Sequence, residues 1–247
     1  MHPIRSAAAA GVAALALVPA AAFAATVIGG PGNERLRGTN GPDHIDGNQG
    51  DDRIWGRGAN DTLIGGAGDD VVRGGPGDDE VRGDANLVGD RTSFDRLFGG
   101  PGNDVLRGGD SQDRMHGGDG NDTAFGEHGR DLIFGHNGDD TLHGNGGDDV
   151  LRNGLGVDTS YGGEGNDVLR AGAPGDVSHP GDQIGDTLDG GPGDDRFRTR
   201  DGEVDRIVCG PGSDRAILDG IDVILDASAE NPKGSCERVR RRAARSS

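Results

Sequence analysis

Aspartate returns every nine residues in two tracts: Asp52, Asp61, Asp70 and Asp79, then Asp104, Asp113, Asp122, Asp131, Asp140, Asp149, Asp158 and Asp167. Asp195 repeats the same local setting further on. These aspartates close glycine-rich stretches such as Gly65-Gly66-Ala67-Gly68-Asp69-Asp70. Glycine lets a backbone take positive φ and turn tightly without a Cβ clash, and Asp or Asn tolerates the left-handed region. Such a turn points successive carbonyl oxygens toward one place, and the aspartate adds a carboxylate there. Hard oxygen donors of this kind suit calcium. Aspartates in turns also cap backbone N–H groups, but like charges stacked this densely repel unless a cation neutralises them.

These loops need strands to hold them in place. Behind Asp70, the run Val71-Val72-Arg73 reads as extended chain with Val72 inward and its neighbours outward. The inward place recurs in phase at Ile45, Ile54, Leu63, Val72 and Val81. The frame runs from Gly29 to Arg82, resumes at Gly99 as GGPGNDVLR, and holds phase through GGEGNDVLR to Arg170. A disordered acidic linker, which the composition alone resembles, has no reason to keep such a phase.

This order of glycine, aspartate and aliphatic residue is similar to the RTX (haemolysin-type) calcium-binding nonapeptide repeat family. The resemblance implies an all-β chain, a right-handed parallel β-roll (β-solenoid). In it, two nonapeptides complete a turn and return the chain over itself at a strand spacing of about 4.8 Å. It further implies several calcium ions, each between a loop and the loop one turn later, held by backbone carbonyls and by both loops' aspartates. On this sequence the pairs are Asp52 with Asp70, Asp61 with Asp79, Asp104 with Asp122 and Asp113 with Asp131. Asp122 with Asp140, Asp131 with Asp149, Asp140 with Asp158 and Asp149 with Asp167 complete them.

Composition agrees with a fold that leans on metal. With 50 glycines, 43 acidic against 25 basic residues, a net charge of −18 and 3% aromatic residues, little conventional core is available. The expectation is a metal-free chain that is largely disordered and a calcium-driven, cooperative folding transition that propagates from turn to turn. Nucleic acid is not an expected partner of so acidic a chain.

Residues 1–24 read as an export signal: a basic start, the apolar run Ala7 to Val18, and the small-x-small pattern Ala22-Phe23-Ala24. The apolar run is too short to span a bilayer, and no later segment could, so a secreted, extracellular chain is expected. Calcium is abundant there, and weak extracellular modules bind it at about 10⁻⁴–10⁻³ M. An exported chain with two cysteines most simply pairs them, here Cys209 with Cys236.

The layout that follows is a roll over 29–208 with insertions near 84–92 and 173–185, a degenerate repeat over 209–237 closed by the disulfide as a C-terminal cap, and a basic, disordered tail over 238–247. Glu34 stands where aspartate belongs, Ala124 is a thin core residue, and Ser160 is polar where an aliphatic belongs.

No catalytic motif is present: H-E-x-x-H, G-x-S-x-G and the Walker lysine pattern are all missing. His116, His128, His136 and His143 recur at outward or loop-flanking places, which gives no metal or catalytic set. The expected function is a non-enzymatic calcium-binding extracellular or surface module. The alternatives are an adhesion or ice- or polysaccharide-binding solenoid and, behind it, a small hydrolase or lyase. An ice face wants flat ranks of threonine, whereas Arg37, Arg73, Arg82, Arg107 and Arg152 occupy outward places, where they offset the acidic loops or meet an anionic cell-surface polymer.

Overall fold

The computed structural model describes residues 23–84, 93–172, 185–225 and 235–242. Nearly all of the expected export signal, the bulk of both insertions, part of the cap and the last residues of the tail lie outside the described residues.

The described residues form two parallel sheets of eleven strands each, with no helix. Successive strands alternate between the sheets. Sheet A runs from Thr26–Ile28 to Val223–Ile224, and sheet B from Arg35–Arg37 to Arg238–Arg241. One nonapeptide therefore crosses half a turn, and through the uninterrupted repeats strands pair in an eighteen-residue register: Val27 opposite Ile45, Ile54 opposite Val72, Met115 opposite Ile133. The expected parallel β-solenoid is the fold.

Alternation along each short strand decides what is buried. The middle residue points between the sheets, and Ile45, Ile54, Leu63, Val72 and Val81 are fully buried there. The column continues through Leu97, Leu106, Met115, Ala124, Ile133, Leu142 and Leu151. It breaks at Ser160, beyond which a second cluster runs from Leu169 through Phe197 to the disulfide. Ser160 is buried without being orphaned, because its hydroxyl donates to Asn153 Oδ1. Asn153 Nδ2 in turn donates to Asp186 Oδ2 at 3.0 Å. Asn153 occupies the glycine place that opens a repeat, so two departures from the repeat compensate each other inside the coil.

The insertions leave the coil intact. Leu97 lies opposite Val72, 25 residues on, and Phe197 lies opposite Leu169, 28 residues on, with the ladder otherwise unchanged. Cys209 and Cys236 are joined, 27 residues apart, in the second core cluster. By the loop-entropy relation a cross-link of that span contributes about 3.5 kcal/mol.

One expectation needs correction. Arg238–Arg241, placed by the sequence in a disordered tail, form the last strand of sheet B, opposite Arg215–Leu218. The Arg241 guanidinium donates to the carbonyls of Asp219 and Asp222, at 3.3 and 2.9 Å, which anchors the strand. An open sheet edge offers unpaired N–H and C=O groups to any extended segment, and that outweighs the poor apolar pattern of RVRR.

Candidate metal centre

The glycine-rich half of each repeat turns the chain from one sheet to the other, and the aspartate closing that turn is buried. Asp52, Asp70, Asp122 and Asp140 are each 1% exposed or less. Burial of a carboxylate demands partners, and one oxygen has one. Asp70 Oδ1 accepts from the Asp52 backbone N–H at 2.7 Å, and Asp140 Oδ1 from the Asp122 N–H at 2.8 Å. The same bond joins Asp61 to Asp79, Asp104 to Asp122, Asp113 to Asp131, Asp131 to Asp149, Asp140 to Asp158 and Asp149 to Asp167. Asp195 receives it from Asp167. Every pair expected from the sequence is thus adjacent, and the direct link within it is N–H to carboxylate.

The second oxygen has no such partner. Oδ2 of Asp52, Asp61, Asp70, Asp79, Asp104, Asp113, Asp122, Asp131, Asp140, Asp149, Asp167 and Asp195 is buried with no hydrogen bond. Each faces the glycine that opens its own repeat. At Gly47 a Cβ would lie 2.3 Å from Asp52 Oδ2 and 2.3 Å from the Gly65 carbonyl oxygen, and at Gly144 it would lie 2.3 Å from Asp149 Oδ2 and 2.4 Å from the Gly162 oxygen. The space beside that glycine is a cradle of a carboxylate oxygen and a carbonyl oxygen from the following turn. Those are hard donors, and a cation would satisfy both. No three His, Cys, Asp or Glu side chains gather as a metal-binding group among the described residues, so backbone carbonyls must complete any ligand set. A donor set of carboxylate and carbonyl oxygens fits calcium.

Electrostatics points the same way. Burial, reinforced by neighbouring carboxylates and opposed by the backbone N–H donors, pushes the Asp70, Asp122, Asp140 and Asp149 carboxyls up to about 7 and Asp131 up to about 8. Without a cation these groups resist ionisation.

Three further aspartates share this setting, with a bonded Oδ1 and a buried, unpartnered Oδ2: Asp95, Asp205 and Asp214. Each keeps the acidic place in the sequence, Asp95 where the motif resumes after the insertion and Asp205 and Asp214 in the loosened terminal repeats, but the turn each one meets is set by the register alone. Asp43 keeps the spacing, but its Oδ2 has a donor: Thr39 N–H, at 2.5 Å. Glu34, in the first repeat, accepts from Gly30 N–H of its own loop at 3.3 Å.

The outward arginines and histidines form ring stacks. His116 lies between Phe98 and Phe134, with centroids 5.1 and 4.6 Å away, and His143 lies between Phe125 and Tyr161, each 4.8 Å away. Arg37, Arg73, Arg107 and Arg152 cover the rings of Trp55, Phe98, Phe125 and Phe134. Arg82 and Arg107 also pair with Glu80 and Glu127.

Among solved structures, the chain is similar to a hyperactive, Ca²⁺-dependent, β-helical antifreeze protein from an Antarctic bacterium. The identity is 20% over 87% of this chain and 74% of that one, with a TM-score of 0.41. No curated protein matches the sequence. The model of the RTX calcium-binding nonapeptide repeat matches residues 28–63, 55–86, 92–124, 116–151, 125–160, 152–173 and 181–203. Those matches take in well over half of the chain, with the cradles and the buried core column inside them, and the chain belongs to the RTX calcium-binding nonapeptide repeat family.

Proposed function

We propose that this protein is a secreted, non-enzymatic calcium-binding module whose coil folds as calcium fills the stacked loops. The observation that carries the reading is the file of buried aspartate Oδ2 atoms without hydrogen bonds, each beside a carbonyl oxygen. Leaving one carboxylate oxygen buried and unpaired costs free energy, and here the cost repeats at every turn. Calcium supplies the missing positive charge. Asp52, Asp61, Asp70, Asp79, Asp104, Asp113, Asp122, Asp131, Asp140, Asp149, Asp158, Asp167 and Asp195 are the aspartates that would hold it, joined by Asp95, Asp205 and Asp214. Carbonyls such as those of Gly65 and Gly162 complete the sets.

Export is supported by the signal-like residues 1–24 and by the disulfide, which oxidising compartments favour. No described helix is long and apolar enough to cross a membrane. The outward arginines support an anionic cell-surface polymer as partner.

The decisive experiment is a calcium titration of the chain lacking residues 1–24, disulfide intact, followed by far-UV circular dichroism. Cooperative gain of β signal with calcium, and none with equal magnesium, is the expected result. A spectrum indifferent to calcium overturns the reading.

One observation favours an ice-binding alternative. Thr123, Thr141, Thr159 and Thr187 lie opposite one another on the outer face of sheet A. The companion column holds Phe125, His143, Tyr161 and Asp189, which breaks the flat array, so this reading stays second. Thermal hysteresis measured on the calcium-loaded protein tests it.

A further inference from the structure

The chain carries a net charge of −18, yet one stretch of the outer face of sheet B gathers arginine. Arg152, Arg170 and Arg198 lie opposite one another on the neighbouring strands Val150–Leu155, Val168–Arg170 and Arg196–Thr199. Strand spacing sets them about 4.8 Å apart along the coil. Arg152 and Arg198 are exposed and Arg170 is half-buried. Among the described residues no carboxylate forms an ion pair with any of the three, whereas Arg82 and Arg107 each have a glutamate. Burial, followed by repulsion from Arg152 and Arg198, pushes the Arg170 guanidinium down from its ordinary value. Like charges held in file repel, and an anion laid along them would relieve that.

The three arginines line a groove of about 470 Å³ whose wall includes Phe134, Leu155 and Ala171. Guanidinium is a planar, bidentate donor matched to carboxylate and to tetrahedral oxyanions. The geometry disfavours nucleic acid. Both faces of the Phe134 ring are covered, by His116 at 4.6 Å and by Arg152 at 5.1 Å, so that ring offers no free face for a base to stack on.

We infer that this groove binds an acidic polysaccharide, its carboxylate or sulfate groups on Arg152, Arg170 and Arg198 and its sugar rings against Leu155 and Ala171. The inference deepens the anionic-polymer partner proposed above and rests on it. It needs the coil to be formed, but no one loop to hold metal.

The test measures binding of the folded, calcium-loaded chain to hyaluronan and to dextran sulfate, with neutral dextran, single-stranded DNA and phosphatidylglycerol vesicles as comparisons. The wild-type chain is expected to bind at least one acidic polymer, more weakly as salt rises, and to ignore neutral dextran. The triple variant R152Q/R170Q/R198Q should lose at least tenfold in affinity and most of the salt dependence. R35Q/R53Q, at the other end of sheet B, should match wild type. Circular dichroism of each sample reports folding. If the triple variant fails to fold, R152Q and R198Q singly, both at exposed places, should each lose about threefold or more. Equal binding by the groove variants, no binding to either acidic polymer, or preference for DNA or vesicles would overturn the inference. Spectra with and without calcium keep the two readings apart: β structure indifferent to calcium counts against metal-driven folding and leaves the polymer result standing.

Discussion

The backbone N–H of Asp122 donates to Asp140 Oδ1 at 2.8 Å, while Asp140 Oδ2 is buried with no hydrogen bond. The carboxylate therefore has two separable tasks. One oxygen pins its loop to the preceding turn, and the other waits for a positive charge.

Replacing Asp140 should separate them. D140A removes both oxygens, leaves the Asp122 N–H without its acceptor at about 1–3 kcal/mol, and should raise the calcium midpoint severalfold. D140N keeps an acceptor and removes the charge. It should weaken calcium binding yet stabilise the metal-free coil at pH 7.5, because it deletes a buried carboxylate held up to about 7. Calcium titrations and the residual β signal in EDTA read the two effects. The prediction fails if D140N destabilises both states alike.

Acid should substitute for calcium. The Asp70, Asp122 and Asp140 carboxyls stand at about 7 in the metal-free coil against an ordinary 3.8, chiefly through burial. A carboxyl that holds its proton more tightly when folded stabilises the fold below its unfolded value, and that stabilisation is lost as pH rises to the folded value. In EDTA, β signal should accordingly be greatest near pH 4 and fall as pH climbs toward about 7. A signal that grows with pH over this window would contradict the assignment.

Two glycines should respond oppositely to the same change. In G144A the new methyl would sit 2.3 Å from Asp149 Oδ2 and 2.4 Å from the Gly162 carbonyl, filling the cradle. At Gly58 the nearest atom would be 3.8 Å away. Loss of calcium affinity and of stability is expected for G144A, and a near-wild-type melt and titration for G58A.

The polar break in the core should be repairable only in pairs. S160L alone strands Asn153 beside the buried Asp186, at about 1–3 kcal/mol for an unsatisfied polar group. N153G/S160L restores the repeat at both places, joins the two apolar clusters, and should melt above S160L. Equal melting temperatures for the two variants would show that Asn153 is not the partner of Ser160.

Much of this was legible along the chain. The nine-residue phase identified the inward column of Ile45, Ile54, Leu63, Val72 and Val81 and the buried aspartates behind each loop, because alternation along a strand and glycine in a turn are local properties. The Cys209–Cys236 pairing followed from there being two cysteines. What lies opposite what across an insertion was not legible, since looped-out chain shifts numbering without disturbing the ladder. The pairing of Asp95 with Asp70 was therefore not legible, and Arg198 came to lie beside Arg170 only through a 28-residue register. Arg238–Arg241 read as tail because a strand held by an open edge needs backbone donors and acceptors and no pattern of its own. Ser160 read as a defect because its partner, Asn153, meets it across the interior between the two sheets. The sequence by itself determined the repeating half-turn; the tertiary structure decided which half-turns meet, since that contact is made between turns and not within them.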